Sequence, residues 1–164
     1  MTNPDISKKQ TDLSKGQLFH QRRILDDGQL LFLVNSNLNE PAEAGIEMVA
    51  CVTPRYDLGR FGIKLVGTPR HADLLLISGP VTRNMVPRLK LVYEQIPDPK
   101  IVVCCGVCGI SGGAFYDSYN LVGPVDQIIP VDMYVPGCPP RPEAIIDGVV
   151  KALARLEAKE KNAS

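Results

Sequence analysis

The chain has 164 residues, 45% of them hydrophobic, and its 18 Lys plus Arg are matched by 18 Asp plus Glu. That length suits one domain with a proper core, and the absence of net charge excludes a general nucleic-acid or anionic-surface binder. The five cysteines (51, 104, 105, 108 and 138) are odd in number, and three fall within five residues, which excludes a secreted disulfide framework.

Residues 1–28 are polar, with Lys8, Lys9, Lys15, Arg22 and Arg23 among Asp and Gln, and read as an arm that orders against a partner or stays disordered. The opening Met1 to Lys9 has no apolar stretch after its charges, and no apolar run reaches bilayer length. The expectation is therefore an intracellular protein, soluble by itself, in which any membrane tie comes through a partner. Leu30-Leu-Phe-Leu-Val34 is a continuous apolar run and predicts a strand buried on both faces. Pro41, with Asn39 or Glu40 as cap, opens a helix carrying Ile46, Val49 and Ala50 to about Val52.

Gly62-Ile-Lys-Leu-Val66 alternates loosely, and Ala72 to Ser78 is a second buried run that stops at Gly79-Pro80. Thr82 is placed to cap a helix from Arg83 to Gln95, with Pro87 tolerated in its first turn. Ile101-Val-Val-Cys-Cys105 is a third strand, followed by a glycine-rich loop from Gly106 to Gly113. Gln127-Ile-Ile-Pro-Val131 predicts a fourth, edge strand, and Glu143 to Lys159 an amphipathic helix. Strands alternating with helices predict an open, mainly parallel α/β sheet with helices on both faces, as one domain over residues 29–158 with a polar tail at 159–164.

In such sheets ligands gather beyond the carboxyl ends of the strands, where Cys108 and Cys138 both fall. Pro136-Gly-Cys-Pro-Pro140 fixes the backbone around Cys138, and Gly106, Ser111, Gly112 and Gly113 let the chain approach a bulky inorganic group closely. Two cysteines far apart in sequence on one rim point to a metal centre; the alternative is a proline-rich turn with an inert thiol. Cys105 forms a Cys-x-x-Cys pair with Cys108, which reads as a metal pair, a redox pair or core packing. Between Thr53 and Lys90 seven basic residues (Arg55, Arg60, Lys64, Arg70, Arg83, Arg88, Lys90) face only Asp57 and Asp73. This block reads as a solvated face, or as a contact for an acidic partner, a quinone or a phosphate group.

Six blocks in order carry a resemblance: Gly45 to Met48, Arg55 to Gly62, Arg70 to Gly79, Val81 to Met85, Cys108 to Gly113 and Val131 to Ala144. They resemble the small iron–sulfur subunit shared by respiratory complex I and the membrane-bound, energy-converting [NiFe] hydrogenases, with Phe61 to Val66 and Thr68 to Asp73 closer to the hydrogenase branch. The resemblance implies a flavodoxin-like α/β fold and an electron-transfer subunit that carries one [4Fe–4S] cluster beside a large catalytic subunit. It implies further partners, a ferredoxin-like iron–sulfur subunit and ion-translocating membrane-arm subunits.

The family's last two cluster ligands align with Cys108 and Cys138. Its first two precede the Ile-Glu pair, where this chain reads Pro41-Ala-Glu-Ala-Gly-Ile-Glu47. Cys51 lies about 10 Å along the helix from Ala44 at ~1.5 Å per residue, so it cannot simply replace a ligand there. A cluster held by Cys51, Cys105, Cys108 and Cys138 requires a displaced position; the other reading is a cluster-free structural or assembly subunit. The resemblance also assigns Glu47 to proton movement beside the large subunit, against the plainer reading of a helix carboxylate paired with Arg55 or Arg60.

Overall fold

The computed structural model describes residues 29–35 and 43–163. The expected N-terminal arm and the helix start around Pro41 lie outside the described residues. Five parallel strands, β1 (Gln29–Asn35), β2 (Ile63–Leu65), β3 (Leu74–Ser78), β5 (Ile101–Cys105) and β7 (Met133–Val135), form one sheet in the order β2-β1-β3-β5-β7. Counting those five strands alone, the order is 2-1-3-4-5, the flavodoxin-like arrangement. Two short strands, β4 (Val81–Thr82) and β6 (Leu121–Gly123), pair antiparallel as a separate ribbon.

Alternation along the central strands divides the core in two. Leu74, Leu76, Ile101, Val103 and Cys105 point to one face, where α1 (Glu43–Cys51) and α4 (Pro142–Ala163) supply Met48, Cys51, Ile145, Ile146, Val149, Ala152 and Leu156. Leu75, Ile77, Val102 and Cys104 point to the other, where α2 (Val86–Gln95) supplies Leu89, and Val125 and Ile129 close the layer. Every residue of β3 and β5 is buried, as their unbroken apolar runs require of strands covered on both faces.

Three expected elements fall elsewhere. Gln127 to Val131 is not a strand. Val125–Gln127 is a 3₁₀ turn, Pro130 has no N–H to give a ladder, and Val125 and Ile129 turn inward. Pairing with β5 resumes at Asp132, whose N–H donates to the Val102 carbonyl while its carboxylate accepts from the Val102 N–H, so the edge strand is Met133–Val135. The helix expected from Arg83 begins at Val86 with no side-chain cap, because Thr82 is drawn into the ribbon; Pro87 sits in its first turn as expected. The last helix runs through Ala163, past the expected end at Lys159.

Candidate functional site at the carboxyl rim of the sheet

β5 and β7 lie side by side, so the loops that follow them leave the sheet together. The Gly106 N–H donates to the Val135 carbonyl and the Val107 N–H to the Gly137 carbonyl, both at 2.9 Å. These bonds fasten the start of α3 (Val107–Ser111) to the Pro136–Pro140 loop. Cys108 and Cys138 are each the next residue after a member of the Val107–Gly137 bond, which brings the two cysteine loops into one structure. Cys108 is half-buried and Cys138 exposed.

Gly137 shows why the second loop has a single shape. Its φ is 151°, and a β-carbon there would lie 2.4 Å from Pro140 Cα and 2.6 Å from Pro140 N. Only glycine fits. The chain returning from α3 passes close over the other sulfur: at Gly113, which has a φ of 53°, a β-carbon would sit 3.2 Å from Cys108 Sγ. Gly112 turns with φ 88° and its N–H donates to the Cys108 carbonyl, while the exposed Ser111 hydroxyl donates to the Val107 carbonyl. Thus Gly106, Ser111, Gly112 and Gly113 shape the backbone around Cys108.

Ala44 faces this junction from α1. A β-carbon on Gly106 would lie 3.5 Å from Ala44 Cβ, 3.7 Å from the Gly137 carbonyl oxygen and 3.9 Å from Pro140 Cδ. The buried methyl of Ala44 therefore sits where α1 and the two cysteine loops meet. Nothing in the local sequence announces that contact, since it joins residues from three distant segments.

The other cysteines are placed differently. Cys51 is 1% exposed, and its thiol donates to the Glu47 carbonyl at 3.2 Å and the Pro142 carbonyl at 3.6 Å. Burial, reinforced by the negative charge of Glu47, pushes its pKa up to about 11. Cys105 is fully enclosed in the same core layer as Cys51, and burial, then the neighbouring Cys104 and Cys51, push its thiol up strongly. Cys104 lies in the opposite layer, pushed up to about 12 by burial and then by Asp126. All three side chains are enclosed in apolar core packing, unlike Cys108 and Cys138 at the rim. Among the described residues no group of three or more His, Cys, Asp or Glu gathers to hold a metal ion. The displaced site of Cys51, Cys105, Cys108 and Cys138 is thus not assembled, because Cys105 ends β5 pointing into the core, away from the rim that carries Cys108.

Glu47 is half-buried on α1, beside the exposed Ile46 and near Val49, and among the described residues it forms no ion pair with Arg55 or Arg60. Those arginines lie instead over their neighbours' rings, Arg55 at 5.8 Å from Tyr56 and Arg60 at 4.9 Å from Phe61. Sequence reasoning passed over the segment after α3, where Phe115, Tyr116, Tyr119 and Val122 are exposed, Tyr119 to 89%. The signal was available: three of the chain's nine Phe and Tyr residues (4 Phe plus 5 Tyr) fall at 115, 116 and 119.

The chain is 62% identical over 111 residues to a probable membrane-bound hydrogenase subunit of Pyrococcus furiosus, a match covering 68% of this chain and 66% of that relative. It spans about two thirds of that relative's length. It is 42% identical to an NADH-quinone oxidoreductase subunit of Heliobacterium modesticaldum, with 93% of each chain covered. A chain in the solved structure of the membrane-bound sulfane sulfur reductase, an archaeal respiratory membrane complex, superposes with a TM-score of 0.71 at 40% identity, over 85% of this chain and 76% of that one. Residues 44–152, which hold nearly all of α1, the cysteine loops and the first half of α4, match the family described as NADH ubiquinone oxidoreductase, 20 Kd subunit, and the chain belongs to that family.

Proposed function

We propose that the chain is the small electron-transfer subunit of a membrane-associated, energy-converting oxidoreductase complex, seated by its carboxyl rim against a large catalytic subunit. No helix among the described residues is long and apolar enough to cross a membrane, and in this reading attachment on the cytoplasmic side runs through membrane-arm partners. A ferredoxin-like iron–sulfur subunit completes the electron path in this reading. The observation that carries it is the fastening of the Cys108 and Cys138 loops through the Val107–Gly137 hydrogen bond, which presents two rim cysteines on a rigid frame.

The donor set does not fit a self-contained four-thiolate [4Fe–4S] cluster. Two rim cysteines are present, the three others are enclosed, and Ala44 brings a methyl group to the junction where a further donor would be needed. That packing favours a second reading, a cluster-free subunit that keeps the fold and the docking surface. Glu47, half-exposed on α1, is the carboxylate we assign to proton movement at the subunit contact.

Iron and acid-labile sulfide in the anaerobically purified complex separate the two. Loss of about four irons in both Cys108→Ala and Cys138→Ala, the complement of one [4Fe–4S] centre, supports electron transfer through this chain with outside ligands. Iron content unchanged by either substitution in an assembled complex supports the cluster-free reading.

A further inference from the structure

Cys104 has no part in the rim chemistry, yet it touches the turn that carries Cys108. Strand β5 points Cys104 away from α1 and α4, into the layer with Leu75, Ile77, Val102 and Val125. The first turn of α3 crosses directly above it. At Gly109, the residue after Cys108, an added β-carbon would lie 2.7 Å from Cys104 Sγ, and 3.5 Å from both the Gly79 carbonyl oxygen and Val125 Cγ2. The 2.7 Å separation is below any that a real β-carbon tolerates, and the sulfur cannot swing aside because Cys104 is fully enclosed. The helix therefore rests on the Cys104 sulfur through a bare glycine backbone.

Cys108 is also approached closely by the chain that returns from α3. Gly113 brings the returning chain to within 3.2 Å of its sulfur, measured from the position of a Gly113 β-carbon, and to 3.3 Å from its backbone nitrogen. Two close fits thus bound the turn that carries the Cys108 sulfur, Gly109 against Cys104 and Gly113 against Cys108 itself.

We propose that Cys104 is a positioning residue for Cys108: its side-chain volume sets the height of the α3 turn, and with it the presentation of the Cys108 sulfur at the rim. The inference rests on the reading of Cys108 as a site residue. It requires neither bound iron nor a partner, so it can fail independently of the proposed function. Cys104 touches no reacting atom in this account and acts only through the Gly109 backbone.

The test compares alkylation rates of individual cysteines by peptide mapping in the full chain, stripped of iron by a chelator, with Cys138 on its separate loop as internal reference. Gly109→Ala lifts the turn and raises the Cys108-to-Cys138 rate ratio roughly tenfold, a shift equivalent to about 1.4 kcal/mol. Adding Cys104→Ala to the same chain removes the sulfur beneath the new methyl and returns the ratio to the wild-type value. If Gly109→Ala alone does not fold, the Cys104→Ala/Gly109→Ala chain still folds with a wild-type ratio. A ratio untouched by Gly109→Ala while melting temperature falls, or a double variant no better than Gly109→Ala, overturns the proposal.

Discussion

The five cysteines divide between two regions that treat sulfur in opposite ways. At the carboxyl rim, Cys108 and Cys138 sit on loops built from glycine and proline, half-buried or exposed, and tied to each other by backbone hydrogen bonds. In the core, Cys51, Cys104 and Cys105 are enclosed among aliphatic side chains with their thiols pushed toward the protonated form. The backbone decides the difference. A strand such as β5, covered on both faces, uses a thiol as a small apolar filler, whereas a turn held open by positive-φ glycines presents one to a partner. Cys104, Cys105 and Cys108 lie within five residues of one another and still fall on both sides of that division.

The comparison breaks most severely at the rim frame. Gly137→Ala forces a β-carbon onto the Pro140 backbone at 2.4 Å and should cost about 2–3 kcal/mol. In thermal denaturation that is a fall of roughly 5–10 °C for a chain of this size. In the core, Cys105→Ser places a hydroxyl in an apolar layer and should cost about 1–3 kcal/mol in denaturant unfolding. It should leave the iron content of the complex unchanged, since Cys105 does not reach the rim.

The core thiols also give a pH signature. Folding raises Cys51 from 9.0 to about 11 and Cys104 from 9.0 to about 12, so below pH 9.0 both states hold these protons and stability is at its full value. Above pH 9.0 the unfolded chain releases protons that the folded chain keeps, and stability falls as pH climbs through about 11 and 12. Denaturant midpoints from about pH 8 to about pH 11 should decline in the wild type and decline less steeply in Cys51→Ala, each measured against its own value at the lower pH. The smallest effect belongs to Gly67→Ala, where a β-carbon meets nothing within 4 Å. It should shift stability by no more than about 0.5 kcal/mol, which isolates the Gly137 effect from glycine replacement in general.

Much of the scaffold was legible because its strands are long and covered on both faces. The runs ending at Val34, Ser78 and Cys105 predict three adjacent strands of the sheet, and their alternation with helices predicts an open parallel sheet, while the flavodoxin-like arrangement came from the family resemblance. Met133–Val135 was not legible: three residues with an exposed Tyr134 carry no periodicity, while Ile128, Ile129 and Val131 nearby look more like a strand and pack as a turn. The β4–β6 ribbon was also hidden, since its strands have two and three residues and pair across a long interval. At the site, Cys108 and Cys138 stood out through their loops. The Ala44–Gly106 junction and the Gly109–Cys104 fit depend on tertiary approach, which no spacing rule encodes.

The most direct test of the division between rim and core sulfur is residue-resolved alkylation of the native chain, after chelation, at about pH 8, where an ordinary thiol reacts readily. Modification is expected at Cys138 and Cys108, with Cys51, Cys104 and Cys105 labelled only after denaturation. Labelling of Cys51 or Cys105 in the native chain at a rate comparable to Cys138 would contradict that division.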